Sequence, residues 1–464
     1  MTAENSTDRA ETPEKRFPFF SKMIVASIII GLAARFVIGG LFTYGYDVSH
    51  WAIVMANIAS GNGLYGLTGY FYTPVWGYFL SFGELIGQTF LSIGDWGTRV
   101  TAALVFEEYS DWYISANTTS IAFGLAVKTP LFIVDLIDGW LIYRLVLELT
   151  GNNRKAQLGF VLWFLCPLVI AVSAVSAMFD CLVVMMVLLA VLLAMHDRYF
   201  GAGILLALAA YTKLFPAFLV PLLIAYVLVK HREDRRTAYR SIGLAALGAT
   251  VTTLVIFFPQ ILDGTLMNCF SFITARAGSE DSLLKQLIGA DTVLAYLGIT
   301  AGSLIIACAY LFYAGKHPER ELMTALLLNA TVIFFYPPTP QYLLLLLPFL
   351  TVYIVTRDRS FLKPWAVIVT GATLFAFANN ASLLLTLSEY SNLLSTDTVV
   401  ALTGWFQGHV FGLAKMAYLY YGGGIIQYVG IIYLAWCEYG GRIMRLQFWK
   451  YPRNATFSDL EEDQ

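Results

Sequence analysis

Five short stretches carry the residues whose types and spacing are suited to chemistry. They are Tyr46-Asp47-Val48-Ser49-His50, Tyr72-Thr73-Pro74, Met178-Phe179-Asp180, Tyr211-Thr212-Lys213-Leu214-Phe215-Pro216 and Pro340-Gln341-Tyr342. Each lies at the end of a hydrophobic run, where an ionisable group is costly and usually functional. Asp47 precedes an amphipathic segment, Trp51 to Ala59, that ends in Ser60-Gly61-Asn62-Gly63. It is either an N-terminal cap of that segment or a general base held at a membrane edge. His50, one turn later, either orients Asp47 or is an ordinary interfacial histidine. Asp180 is either the polar residue of a corner or a functional acid. Lys213 either snorkels from a helix end or supplies a cation for a phosphate at headgroup level. Arg276 and Lys285, in the segment 261–290, face the same choice between a phosphate contact and a solvated loop. Arg35 falls inside the first apolar run, and Asp135 and Asp138 inside the next long one. An unpaired charge there costs about 2.5–3.5 kcal/mol, so Arg35 is expected to form a structural pair with one of these carboxylates.

The elements that must position these residues are membrane helices. The chain has 464 residues, 58% hydrophobic and 13% charged, with mean hydropathy +0.67. That charged share is about half that of soluble domains, and it defines an all-α polytopic membrane protein. A net charge of -2 excludes a strongly basic nucleic-acid binder. Cys166, Cys181, Cys269, Cys308 and Cys437 are scattered with no metal-ligand spacing and read as small hydrophobes. Apolar runs occur at 21–43, 121–148, 156–178, 180–196, 199–213, 214–230, 241–260, 291–315, 322–338, 341–356, 364–388 and 411–437.

Orientation follows from the basic clusters at Arg154-Lys155, Arg198, Lys230 to Arg240, Lys316 to Arg320, Arg357 to Lys363 and Arg442 to Arg453. With all of them in the cytosol the runs alternate correctly from residue 121 onward, and residues 44–120 make no net crossing. The run Tyr72 to Ile93 is then re-entrant, or lies on the outer face, or is half of a pair whose weak partner contains Glu107, Glu108 and Asp111. The expected organisation is a disordered cytosolic tail (1–20), a transmembrane catalytic domain (21–440) with a first outer loop (44–120), and a cytosolic tail (441–464). About 12–13 transmembrane helices are expected: twelve full spans plus one outer-leaflet segment. All five stretches then face outward.

No Ser/His/Asp signature, P-loop, dinucleotide fingerprint or EF-hand competes with this constellation. The order of the five stretches resembles the GT-C superfamily of membrane glycosyltransferases, from about Arg35 to Tyr342. Tyr46-Asp47 through Gly61-Asn62-Gly63-Leu64-Tyr65 to Tyr72-Thr73-Pro74 resembles the first outer loop of GPI mannosyltransferase I and its prokaryotic relatives. Lys128-Thr129-Pro130 with Asp135 and Tyr143-Arg144 is similar to the next span of that family. Ala177-Met178-Phe179-Asp180 stands where relatives have Gly-Gln-Tyr-Asp. Ala209-Ala210-Tyr211-Thr212-Lys213-Leu214-Phe215-Pro216 and Thr339-Pro340-Gln341-Tyr342 resemble its hairpin and late Pro-x-Tyr motifs.

The resemblance implies inverting transfer of a hexose, mannose first, from a polyprenyl-phosphate donor to a glycan or lipid-linked acceptor. The site would face outward from a multi-pass, prokaryotic plasma-membrane protein. Asp47 would match the catalytic aspartate, Lys213 with Arg276 the donor-phosphate cations, and Gln341 and Tyr342 the donor side. Asp180 occupies a recurring position without an assigned role. The family's second acidic residue is Ser49 here, which disfavours a metal-bound mechanism, and no metal or cofactor is expected. The partners implied are the lipid-linked donor, the acceptor and membrane lipid, with no nucleic acid. The competing readings are a lipid or glycan transporter, and a non-catalytic subunit of a glycan assembly machine.

Overall fold

The computed structural model describes residues 19–65, 70, 72–86, 98–100, 117–271, 292–314, 318–335, 339–378, 383–384, 386–387 and 395–442. Arg276, Lys285 and the acidic residues Glu107, Glu108 and Asp111 lie outside them, as do the two expected tails over most of their length.

The described residues are almost wholly helical. The first half contains α1 (Lys22–Leu41), α2 (Gly45–Ala59), α3 (Pro74–Ile86), α4 (Ile121–Thr150), α5 (Asn153–Phe164), α6 (Pro167–Ile170), α7 (Asp180–Met195), α8 (Tyr199–Ala210), α9 (Val220–Lys230) and α10 (Arg235–Leu262). The second half contains α11 (Thr292–Ala314), α12 (Pro318–Ile333), α13 (Leu347–Thr356), α14 (Leu362–Ala378), α15 (Thr396–Gln407) and α16 (Lys415–Cys437). Two short antiparallel ladders complete it: β1 (Thr98–Val100) with β2 (Asn117–Thr119), and β3 (His409–Val410) with β4 (Leu413–Ala414).

Local chemistry sets the helix ends. The Ser21, Ser120, Asn152 and Asp234 side chains accept from backbone N–H groups that open α1, α4, α5 and α10. Gly151, with φ 62°, takes the left-handed conformation that stops α4. Pro167 lacks an N–H and turns α5 into α6 and the following π-turn through 45°.

Among the described residues, each of the twelve apolar runs falls mainly on a helix or on two helical segments in succession. By length and composition, Lys22–Leu41, Arg235–Leu262 and Arg359–Ala378 can each cross a membrane, and 153–175 adds a fourth crossing as a bent pair. Several others are apolar helices of 10–17 residues, among them α7 and α8. The run after Tyr72 carries α3, 13 residues in its described part, and residues 87–93 of the run lie outside the described residues. Tyr78 on it donates to the Ile256 carbonyl (2.8 Å) and shares a hydrogen bond with Gln260 (2.9 Å), which fixes α3 against the end of α10.

The two ends of the bundle differ in chemistry. At one end Lys230 Nζ donates to the Met195 carbonyl (2.6 Å) and lies 2.9 Å from Asp197 and 3.7 Å from Glu319. Arg357 pairs with Glu321 at 2.6 Å, and Arg144 with Glu148 at 3.2 Å on the same end of α4. These ion pairs gather the Asp197, Lys230, Glu319 to Glu321 and Arg357 corners at one end; residues 443–453 lie outside the described residues. The opposite end carries the five stretches.

Two basic side chains inside the bundle take their partners across helices, while both oxygens of the buried Asp138 lack a hydrogen-bond partner among the described residues. Arg35 Nε lies 2.9 Å from Asp135 Oδ2, both side chains fully buried, and Nη1 donates to the carbonyls of Gly31 and Phe164. This is the pair expected from the sequence. Lys128 donates to the carbonyls of Gly39 (2.8 Å) and Phe42 (3.1 Å) and to Thr43 Oγ1 (2.8 Å).

Helices approach closely where glycine permits it. A Cβ on Gly203 of α8 would lie 1.9 Å from the Ala245 carbonyl of α10, and one on Gly248 would lie 2.2 Å from the Phe200 carbonyl. Small residues at such crossings let backbones touch. Gly203→Ala is therefore expected to force α8 and α10 apart, at about 1–3 kcal/mol of overpacking, and to lower the thermal midpoint in detergent. Gly243→Ala, with open space around it, should leave the midpoint unchanged or slightly raise it.

Candidate active site

The site forms where α1, α7, α8 and the 340 corner end together. Lys128 places its first component. Its ammonium caps the last carbonyls of α1 and holds Thr43, so the chain must turn there into α2 with Asp47 in the first turn. Tyr44 N–H, donating to the Val175 carbonyl at 2.8 Å, ties the same turn to the π-turn before α7. Sequence reasoning had placed Lys128 only within a motif. A lysine inside an apolar run, ahead of Pro130, was the available signal for a buried structural cation.

The second component is the start of α7. The π-turn Ala171–Val175 and Ala177, at φ 50°, swing the chain so that Phe179 and Asp180 point into the bundle end. Ala177 occupies the left-handed region that favours glycine, and it stands where the resemblance places a glycine. Phe179 is fully buried and stacks on Trp76 of α3, with centroids 4.7 Å apart and planes at 15°. Tyr72 meets the same ring edge-on at 5.4 Å, and Trp51 of α2 at 5.9 Å. One phenylalanine thus joins its own stretch to the Tyr72 turn and to α2 and α3.

Loop chemistry holds the Tyr72-Thr73-Pro74 turn. Tyr65 OH donates to the Tyr72 carbonyl (2.5 Å) and Tyr70 OH to the Thr73 carbonyl (2.9 Å). Thr73 Oγ1 donates to the Tyr211 carbonyl, reaching the corner that carries Lys213.

Lys213 is the centre of the arrangement. Its Nζ lies 2.7 Å from both oxygens of Asp180. The ammonium also sits 4.9 Å from the Phe179 ring centroid and 4.7 Å from that of Tyr342. Tyr342 is held in turn against Phe215, at 4.9 Å. A desolvated ammonium gains from an opposite charge and from aromatic faces together. Lys213 therefore neither snorkels nor stands alone as a phosphate cation: in this state it is paired. Asp180 is its counter-ion, not merely a corner residue. Gln341 shares the tight turn of Tyr342 and is half-buried.

Asp47 completes the group. Its carboxyl is pushed up to about 7, chiefly by burial; the Lys213 charge opposes this and the Asp180 charge adds to it. An acid poised there is matched to proton transfer near neutral pH. His50, on the same helix, has its ring 5.4 Å from Trp51. Arg276 lies outside the described residues. The structure thus brings together Asp47, Asp180, Lys213 and Tyr342 from sequence positions almost 300 apart, with Tyr72 and Phe179 as their aromatic floor.

A sequence model of glycosyltransferase family 87, a GT-C-type family of membrane glycosyltransferases, matches residues 122–338. The match spans a little under half of the chain. No curated protein matches the chain. The matched segment contains Lys128, Asp180 and Lys213, whereas Asp47, Tyr72, Gln341 and Tyr342 lie beyond its ends. Together with the almost wholly helical, apolar architecture, it indicates a membrane glycosyltransferase, with a sugar donor and an acceptor as its partners.

The Asp47 carboxyl is raised in the folded state above its ordinary 3.8, so its neutral form is the favoured one. Its contribution to stability is then full below about pH 4 and is lost as pH rises through about 7. The thermal midpoint is expected to fall across that window, and Asp47→Asn should flatten the fall. Scanning calorimetry of both proteins between pH 4 and 8 checks this; an equal fall in both would refute the assignment.

Proposed function

We propose that the protein transfers a hexose, mannose first, from a polyprenyl-phosphate donor to a hydroxyl of a glycan or lipid-linked acceptor, with inversion. The reaction is assigned to the outer face of a prokaryotic plasma membrane. The single observation that supports it most is Asp47, titrating near neutrality, beside a buried lysine in an aromatic cage at one end of the helical bundle. The opposite end carries the basic corners, and basic residues favour the cytosolic side.

The chemistry needs a base on one side of the anomeric carbon and charge stabilisation on the other. Asp47, as carboxylate, accepts the proton of the acceptor hydroxyl while that oxygen bonds to the anomeric carbon. The bond from the anomeric carbon to the phosphate oxygen breaks in the same step, which inverts the centre. The departing polyprenyl phosphate gains a negative charge, and a preorganised cation is worth most where charge develops in a dry site. Lys213 supplies that cation. Its ammonium has three N–H bonds, so Asp180 holds it in place while leaving a donor for a phosphate oxygen. Tyr342 and Gln341 line the donor side. Arg276 is assigned a second phosphate contact.

Purified protein in detergent, given radiolabelled polyprenyl-phosphate sugars and a host lipid extract, tests the reaction. Wild type should move label into a new product, with the rate rising through about pH 7 as Asp47 ionises. Asp47→Asn should abolish transfer while leaving the protein folded; full activity in that variant would remove Asp47 from the reaction. Lys213→Ala should raise the KM for donor more than that for acceptor, and an unchanged donor dependence would count against the phosphate contact.

A further inference from the structure

The hairpin between α15 and α16 has no part in the proposed chemistry, yet its sequence and conformation conflict. Residues His409–Val410 and Leu413–Ala414 pair across Phe411-Gly412. Phe411 has φ 51° and Gly412 φ 83°. Two successive positive φ angles make the tight hairpin turn for which Asn-Gly or Asp-Gly is the favoured pair. A bulky aromatic in the first position is an outlier. The residue is 98% exposed, so no packing among the described residues offsets the strain. The turn is nevertheless built firmly: Lys415 N–H donates to the Gly408 carbonyl (3.0 Å), and Tyr418 OH to the Val410 carbonyl (2.6 Å).

The packing of α16 shows where this tip lies. Gly423 would meet the backbone at Phe375, Gly371 that at Gln427, and Gly430 that at Ile368. These contacts run antiparallel, so the start of α16 lies beside the end of α14. Phe377 of α14 is 6.2 Å from Phe42, at the end of α1. The hairpin is therefore at the active-site end of the bundle. Below it, α16 exposes Leu419, Tyr421 and Ile425, at 46%, 55% and 64%. Such an exposed apolar face on a helix of 23 residues suits contact with acyl chains. Lys415 Nζ lies 3.7 Å from the ring centroid of the exposed Trp405, the aromatic and snorkelling pair of a headgroup layer.

We propose that the β3–β4 hairpin is a membrane-interface anchor. Phe411, with Val410 and Leu413, enters the acyl boundary of the leaflet on the active-site side, while Trp405 and Lys415 sit among the headgroups. Its occupant is bilayer lipid, continuous with the lipid around α16. The anchor fixes the depth of the active-site end relative to the leaflet that delivers lipid-linked substrates. It rests on the membrane architecture, and its test reads no sugar transfer, so its failure and that of the proposed reaction are distinguishable.

The test places a nitroxide at Phe411→Cys, and separately at Leu413→Cys, in full-length Cys308→Ser protein in phosphatidylglycerol/phosphatidylethanolamine nanodiscs. The remaining cysteines are buried. Glu233→Cys, at the opposite and polar end, is the aqueous reference. Power saturation should show both hairpin labels relaxed more by oxygen than by a water-soluble nickel chelate, with the reverse at position 233. Hairpin labels relaxed like the reference would overturn the proposal. So would dipolar broadening between labels, which would place a second copy of the chain on the tip. If the 411 variant fails to fold by gel filtration, the 413 label, outside the strained turn, decides by the same criteria.

Discussion

The active-site end depends on how a lysine ammonium is kept charged out of water. Lys213 has both oxygens of Asp180 at 2.7 Å and two aromatic faces within 5 Å. Neither kind of contact suffices alone, because desolvating an ion costs several kcal/mol even after relaxation. Meeting both demands determines much else. The first residue of α7 must lie against the α8–α9 corner, and the 340 corner must bring Tyr342 over the same ammonium. Phe179, fixed by Asp180 beside it, then serves as the surface on which Trp51, Tyr72 and Trp76 pack. The pair also sets the field at Asp47: Lys213 draws its carboxyl down, Asp180 and burial push it up. One ion pair thus couples the position of the Lys213 ammonium to the proton affinity of Asp47.

A second set of buried charges supports the first from below. Lys128 closes the end of α1, and Arg35 with Asp135 joins α1 to α4 under it. Buried pairs are weak arguments for stability, since well-packed apolar residues often do as well. Their service here is positional. An apolar replacement at 128 would leave the last carbonyls of α1 without that donor, at the turn that delivers Asp47. The strained Ala177 and the π-turn before it belong to the same set, because irregular backbone re-aims Phe179 and Asp180 where a straight helix would carry them past the site.

Polarity along the bundle axis gives the molecule its direction. Ion pairs such as Lys230 with Asp197 and Arg357 with Glu321 close the end away from the site, while tyrosines and tryptophans crowd the end that holds it. The hairpin at Phe411 extends that aromatic end into the surrounding leaflet.

Much of this was legible in residue types alone. Apolar runs of helical length fixed the class and placed almost every helix, and polar residues at their ends marked Asp47, Asp180, Lys213 and Tyr342 as one group. Arg35 was matched to the carboxylates of α4 because an unpaired charge there is untenable. These inferences are local, or depend on a cost that holds in any bilayer. Three features were not legible: that Asp180 holds Lys213, that Lys128 closes α1, and that α3 packs against the end of α10. Asp180 and Lys213 are 33 residues apart, and Lys128 reaches back 85 to 89 residues. Which partner a buried charge takes depends on which helix faces it. That choice is made by close fits such as Gly203 against Ala245, which no hydropathy pattern encodes. The sequence by itself determined that these charges need partners and that the candidate residues stand at the ends of apolar runs; only the tertiary structure decided with whom each charge pairs, because pairing follows helix packing.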